Sequence, residues 1–349
     1  MSSSSEILFK IEGLKKWFPV RTSLRAILTG TTTECADDVE NDPQPFLASF
    51  RKPIYCHAVD GISFEIKKKE VVCMVGESGS GKTTFARVLL RLEESTEGAI
   101  YYKGTDITNI NRRKFREVRR HVQMIFQNPY ESLDPKKTVM HIVSEPLFVN
   151  NICSRSEVPE RVFTTLKEVG LVPPEEFLER YPHELSGGQR QRVSIARSLI
   201  LNPEFIVADE PASMLDANTR IGILNLLLDL HTHHNMSLLF ITHDLAQARY
   251  LGDKLVILYL GKIVEMGSME KIIKIPHHPY TRALISNIPV PDPDAQRERV
   301  EIKGEIPSAI NLPRGCRFAP RCPYVLAKCD EEEPELMMKQ GRLSACWLD

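Results

Sequence analysis

VVCMVGESGSGKTTFARVLLRL, residues 71–92, decides the fold. Its first five residues are wholly apolar and rich in Val, the pattern of a short strand buried on both faces. Its second half spaces Phe85, Val88, Leu89 and Leu92 three and four apart, as one face of a helix requires. Between them Gly76–Thr83 spells G-E-S-G-S-G-K-T, which fits G-x4-G-K-[ST] in the strand–turn–helix setting that this motif needs. Glycines open backbone angles closed to other residues, so successive N–H groups can face an anion. The helix start adds the positive end of its dipole. Lys82 brings a point charge to β- and γ-phosphates, and Thr83 a hydroxyl for Mg²⁺.

Outward from this stretch, FIVAD (205–209), SLLFIT (237–242) and KLVILYLG (254–261) are further buried strands, alternating with helices. That order predicts an α/β fold with a mostly parallel sheet covered on both faces. ILFKIEGL (7–14) and HAVDGISFEI (57–66) read as two more strands, and 21–53 between them as an inserted surface excursion without a sustained period. Lys82 and Asp209 are too far apart for one βαβ unit. The helical patterns between about 130 and 185 predict an inserted helical subdomain. Asp209 and Glu210 end a buried strand, where ligands of parallel sheets bind. Asp209 is placed to reach Mg²⁺, and Glu210 to orient or deprotonate a water.

LSGGQRQRVSIARSLI (185–200) starts a helix with two glycines. Each costs about 1 kcal/mol against Ala, so the pattern predicts that something approaches Gly187 and Gly188 closely. Ser186 is the expected cap.

With LSGGQ beside the phosphate cradle, residues 6–275 resemble the ATP-binding-cassette (ABC) ATPases, a P-loop NTPase family. The resemblance implies a RecA-like parallel-sheet core, an antiparallel β subdomain, the inserted helical subdomain and a nucleotide-binding domain over 1–275. Gly76, Glu77, Ser78, Gly79, Ser80, Gly81, Lys82, Thr83 and Thr84 look like Walker A, and Asp209 and Glu210 like Walker B and the catalytic carboxylate. Gln127 looks like the Q-loop glutamine that contacts Mg²⁺, and His243 like the switch histidine. Ser213 and Asp216 resemble the D-loop. Phe18 aligns with the aromatic that stacks on adenine, Trp17 being one residue away. The family's arrangement implies a head-to-tail dimer in which Ser186, Gly187, Gly188 and Gln189 of one subunit close on the ATP held by the other.

Residues 277–349 resemble the C-terminal region of oligopeptide/dipeptide importer ATPases. SMLD (213–216) with that tail leans toward the second, F-type subunit rather than the D-type. The implied partners are a related ATPase subunit, two membrane permeases and, indirectly, a substrate-binding protein. Cargo would be peptides or related solutes such as oligosaccharides.

Eight cysteines are present, and Cys316, Cys322, Cys329 and Cys346 crowd the end of the chain. The residues alone allow a zinc site, a cluster or free thiols. The resemblance implies a [4Fe–4S] cluster, with zinc the lesser alternative, in a small Cys-rich C-terminal domain over 276–349. VEIKGEI (300–306) is that region's candidate strand. A Cys35–Cys56 disulfide across the excursion is the minor expectation.

The 349 residues carry 45 basic and 46 acidic side chains, a net charge of −1, which argues against a nucleic-acid-coating protein. No apolar run is long enough to span a bilayer, and the first residues lack a secretory pattern. The expected location is therefore peripheral, on the cytoplasmic face of a membrane. A soluble, non-transport cassette ATPase is the competing reading.

Overall fold

The computed structural model describes residues 6–20, 54–288 and 300–348. The 21–53 excursion and the Cys35–Cys56 pairing lie outside the described residues.

An eight-stranded sheet has the order β11-β12-β10-β9-β3-β8-β7-β6, in which β10 is Lys262–Ser268, β11 Met337–Lys339 and β12 Arg342–Ser344. Its parallel part comprises β6 (Val122–Ile125), β7 (Phe205–Asp209), β8 (Ser237–Thr242), β3 (Val71–Val75) and β9 (Lys254–Tyr259). β3 is buried along its whole length and hydrogen-bonded on both sides. Its alternation assigns Val71, Cys73 and Val75 to one apolar core and Val72 and Met74 to a second. This is why the strand carries no polar residue.

The second core is closed by an antiparallel sheet of order β2-β1-β4-β5: β1 (Ile7–Pro19), β2 (Tyr55–Lys67), β4 (Glu97–Tyr102) and β5 (Thr105–Asp106). Its inward Phe9, Ile11, Ile62 and Phe64 meet Phe85 and Leu89 of α1 (Lys82–Leu89). α1 ends before Leu92, which lies exposed beyond it. α2 (Arg112–His121) precedes β6.

The first core takes in the segment between β6 and β7. There α3 (Val139–Asn150) and α4 (Val158–Glu168) set Val139, Ile142 and Val143 and Val158, Val162 and Leu166 into it. α5 (Gly187–Leu199) and α6 (Ala217–His234) complete this face. α7 (Leu245–Leu251) leads into β9, and α8 is the short helix Met269–Lys274.

The C-terminal residues join the cassette's main sheet. β12 (Arg342–Ser344) pairs with β10 (Lys262–Ser268), and β11 (Met337–Lys339) with β12, so the hairpin extends the cassette's main sheet. Phe318 is buried against Tyr259 of β9 and Tyr280, ring centres 5.3 and 5.5 Å away. Residues 300–306 form no strand. VEIKGEI has the alternation but no ladder to join, and a lone strand leaves its backbone groups unpaired.

Below β10, Glu265 is fully buried. It accepts the N–H groups of His277 and His278, each at 2.9 Å, and is ion-paired with Arg342 at 3.0 Å. That carboxylate anchors the start of α9 (Pro279–Ser286), which His278 caps. Burial pushes His278 down to about pKa 3, so its ring is neutral and free to accept from the Tyr280 N–H.

Candidate functional site

β3, β8, β7 and β6 are adjacent and parallel, and the loops leaving their carboxyl ends emerge together. Register places Val75 beside Thr242, Asp209 beside Ile241 and Ile125 beside Ala208. The sheet thereby brings together the loop 76–81, Asp209, Glu210, Gln127 and His243, residues up to 167 positions apart in the chain.

The loop is shaped by close approach. A Cβ on Gly76 would stand 2.2 Å from the Leu258 carbonyl oxygen, and one on Gly81 2.0 Å from that of Ala58. Gly81 also has φ 100°, and it opens α1 without a side-chain cap. The first N–H groups of that helix are thus left for a ligand. Lys82 is buried. Its ammonium donates to the carbonyl oxygens of Gly76 (2.8 Å) and Glu77 (2.9 Å) and to Ser80 Oγ (3.4 Å). Burial lowers its pKa, against the opposing charges of Glu210, Asp209 and Glu77. Ser78 and Gly79 are exposed at the loop's tip, and Thr84 is half-buried in the first turn of α1.

Thr83 Oγ1 donates to Asp209 Oδ1 at 3.2 Å. Burial, with the nearby Glu210 charge adding to it, raises Asp209 to about pKa 6 despite that bond. Two hard oxygen donors side by side at the mouth of a phosphate loop fit Mg²⁺.

Glu210 is held from both sides. Gln127 Nε2 donates to its Oε2 at 3.2 Å, and His243 Nδ1 stands 3.1 Å from its Oε1. Its backbone has φ 43°, a left-handed conformation that is costly for a non-glycine residue and turns the side chain out of the strand's path. Ser213 Oγ donates to the Glu210 carbonyl at 3.1 Å, while Asp216 caps α6 through the Thr219 N–H.

The segment 186–189 opens α5. Ser186 and Gln189 form a reciprocal capping box, their bonds 3.3 and 2.9 Å. Gly188 lacks a side chain because a Cβ would lie 2.4 Å from the Thr219 methyl, so part of the close approach comes from the chain itself. A Cβ on Gly187 would stand 3.4 Å from Leu215 Cδ2, in ordinary contact.

At the end of β1, neighbouring aromatics take opposite faces. Trp17 donates its indole N–H to Asp60 (3.0 Å) and packs on His57. Phe18 is half-buried, with the Lys16 ammonium 4.7 Å from its ring centre. Trp17 is thus committed to the protein, which leaves Phe18 as the stacking candidate.

Cys316, Cys322, Cys329 and Cys346 all line one small, largely apolar cavity, and all four are free thiols. Burial pushes Cys316 up to about pKa 12, with Cys329 and Cys346 adding to it. Among the described residues no three His, Cys, Asp or Glu side chains converge on a single metal-ion position. The donor set is sulfur with apolar surroundings, which suits a thiolate-held group.

Sequence reasoning missed the C-terminal grip on this site. Arg321 is ion-paired with Glu77 at 3.0 Å, and Arg317 binds Asp60, the acceptor of Trp17. Asp60 stays ionised below the usual carboxylate range: burial opposes this, but Arg317 outweighs it. No local pattern encodes such pairs.

The ABC transporter family model matches residues 59–213, and a model described as the oligopeptide/dipeptide transporter C-terminal region matches 264–329. The chain is 41% identical to the dipeptide transport ATP-binding protein DppF of Haemophilus influenzae, over 96% of this chain and 94% of that one. It is 42% identical to the oligopeptide transport ATP-binding protein AppF of Bacillus subtilis, with the same coverage. Among solved structures, the dimeric ATP-binding cassette MJ0796 in a post-hydrolysis state with ADP and Pi superposes with a TM-score of 0.60. It is 27% identical and covers 75% of this chain and 99% of its own.

Proposed function

The chain belongs to the ABC transporter family, among the ATP-hydrolysing subunits of oligopeptide/dipeptide importers, and from that premise we propose how its residues divide the work. The triphosphate lies along 76–84, its charge met by the α1 N-terminus and Lys82, and adenine stacks on Phe18. Thr83, Asp209 and Gln127 would hold Mg²⁺, which would supply positive charge to offset that of the phosphates. Glu210 accepts a proton from the water whose oxygen attacks the γ-phosphorus. The bond to the bridging oxygen breaks, and ADP and Pi result.

The observation that carries this reading is the clamp on Glu210 by Gln127 and His243, beside the Thr83–Asp209 pair. Each carboxylate oxygen has one exchangeable partner, so one can be given up to water while the other keeps the group aimed.

The 186–189 segment acts on the nucleotide of a second, related ATPase subunit. Two helix starts aimed at one triphosphate favour closure only while the γ-phosphate is present, and its loss releases the clamp. That cycle drives two permease subunits fed by a substrate-binding protein. Among the described residues no helix is long and apolar enough to cross a membrane, so the chain needs such partners to act there. The kinship with DppF and AppF supports the F-type position and peptide cargo. In vesicles containing the whole complex, ATP consumption should rise with peptides outside and not with sugars. Uptake of sugars alone would overturn the cargo assignment.

The four C-terminal cysteines hold a [4Fe–4S] cluster that staples a region too small for its own core. Supporting this, all four thiols line one small cavity, a soft sulfur donor set. Iron and acid-labile sulfide in anaerobically purified protein should come near four per chain. Stoichiometric zinc without sulfide would reject the cluster.

A further inference from the structure

Glu77, the second residue of the phosphate loop, is held at three points. Its carbonyl accepts from Lys82 Nζ at 2.9 Å. Its N–H donates to Tyr280 Oη at 2.9 Å, and its carboxylate Oε2 takes Arg321 Nη1 at 3.0 Å. The last two partners belong to the C-terminal region, more than 200 residues away in sequence.

Neither is a loose surface contact. Tyr280 is fully buried and Arg321 is 7% exposed. Arg321 Nη1 also reaches Tyr259 Oη at 3.4 Å, and the Tyr259 ring packs against Tyr280 at 4.9 Å and Phe318 at 5.3 Å. A guanidinium fixed among packed rings has little freedom to follow a moving partner, so Glu77 must come to it.

We propose that Arg321 and Tyr280 are positioning residues for nucleotide binding. They fix the resting place of Glu77 and, through its carbonyl, that of the Lys82 ammonium. The C-terminal region thereby tunes the affinity of the cassette for ATP. Arg321 directly precedes Cys322, so a displacement of the cysteine-lined loop is delivered to the phosphate loop by the same side chain. This inference rests on the proposed reading of 76–84 as the nucleotide cradle.

The test uses the assembled importer and measures KM for ATP and kcat separately. Arg321→Ala should raise KM about tenfold, the ratio expected for one charge-assisted bond, with kcat at saturating ATP within about twofold. Tyr280→Phe, which keeps the ring packing, should raise it about threefold. Arg321→Lys should recover part of the loss. In a Glu77→Gln background, Arg321→Ala should add less than about twofold, because its partner is already gone. An unchanged KM in Arg321→Ala and Tyr280→Phe, with only a lowered melting temperature, would overturn the proposal. So would an Arg321→Ala effect undiminished by Glu77→Gln. Should Arg321→Ala fail to assemble, Tyr280→Phe and Arg321→Lys decide the matter. Lys82→Ala separates the two readings: normal ATP binding there refutes the cradle itself, while lost binding beside unshifted Arg321 and Tyr280 variants refutes only the grip.

Discussion

The phosphate loop and the C-terminal region both bury charge, and they do so in opposite ways. In the C-terminal region Glu265 has two amide donors and Arg342, and Arg317 has Asp60 and Glu333. These bonds tie one stretch of chain to another, and nothing would gain by exchanging them. At the loop, Lys82 is satisfied by carbonyls of its own turn, Thr83 by Asp209, and Glu210 by Gln127 and His243. Under the proposed function those partners are provisional, since phosphate, Mg²⁺ and water would each make a better one. Buried charge with permanent partners builds a fold, and buried charge with replaceable partners builds a site.

The widest break between the two should come at Glu210. Glu210→Gln keeps the size and both hydrogen-bonded neighbours but cannot take a proton. ATP should still bind, and turnover should drop about 10²–10⁴-fold. Steady-state phosphate release beside nucleotide binding checks this, and near-normal turnover would remove Glu210 from the base role. Unfolding by denaturant should shift little, as expected of a residue whose partners are provisional.

Glu265→Gln should do the reverse. It leaves Arg342 buried without its counter-charge, at a cost of about 3–5 kcal/mol. Hydrogen exchange should report the loss at β10, β12 and the start of α9. Turnover per folded molecule at saturating ATP should stay near normal. A kcat defect without lost protection would mean that Glu265 serves the chemistry.

These two carboxylates also show how far the sequence could be read. Glu210 was legible because a strand, an acid pair and a glycine-rich loop are local patterns with fixed spacing. Phe205–Asp209 and Ser237–Thr242 fall where their apolar runs predict them. Glu265 was not legible, since IVEMG reads as an ordinary strand and nothing near it announces a buried ion pair with Arg342. β12 joins β10 across some 75 intervening residues for the same reason. VEIKGEI misled in the other direction, because alternation records a face but not a partner. β1 runs past its readable part to Pro19 through register shifts near Leu14 that break the period.

Asp209 sharpens the comparison by pH. Its carboxyl is raised to about pKa 6, so in the empty site the neutral form is favoured below about pH 6. Between the ordinary Asp value and about 6 the folded chain binds more protons than the unfolded one. The group's contribution to stability therefore declines as pH rises through about 6, then levels off. Mg²⁺ needs the charged form. Mg²⁺-dependent ATP binding should weaken about tenfold from pH 7 to pH 5, and titration calorimetry near pH 6 should detect proton release. A flat profile would show that Asp209 does not meet the metal. Asp209→Asn should abolish the proton release whatever its effect on affinity.

The smallest effect is expected at Ser186, which belongs to both kinds of bonding. Its hydroxyl accepts from the Gln189 N–H while Gln189 accepts from the Ser186 N–H, a closed cap that stabilises α5 with no ligand present. Ser186→Ala should cost about 1 kcal/mol and fray the first turn. Were capping its whole task, Ser186→Asn would restore both stability and ATP-driven association of the two ATPase subunits, because Asn caps as well as Ser. Were the hydroxyl needed by the partner's nucleotide, Asn would restore stability alone. Sedimentation with ATP and Mg²⁺ in the Glu210→Gln background reads the difference, since there the nucleotide persists. Restored stability with weak association is the expected outcome: the cap then holds only until the facing phosphate replaces it, as carbonyls hold Lys82 until ATP arrives.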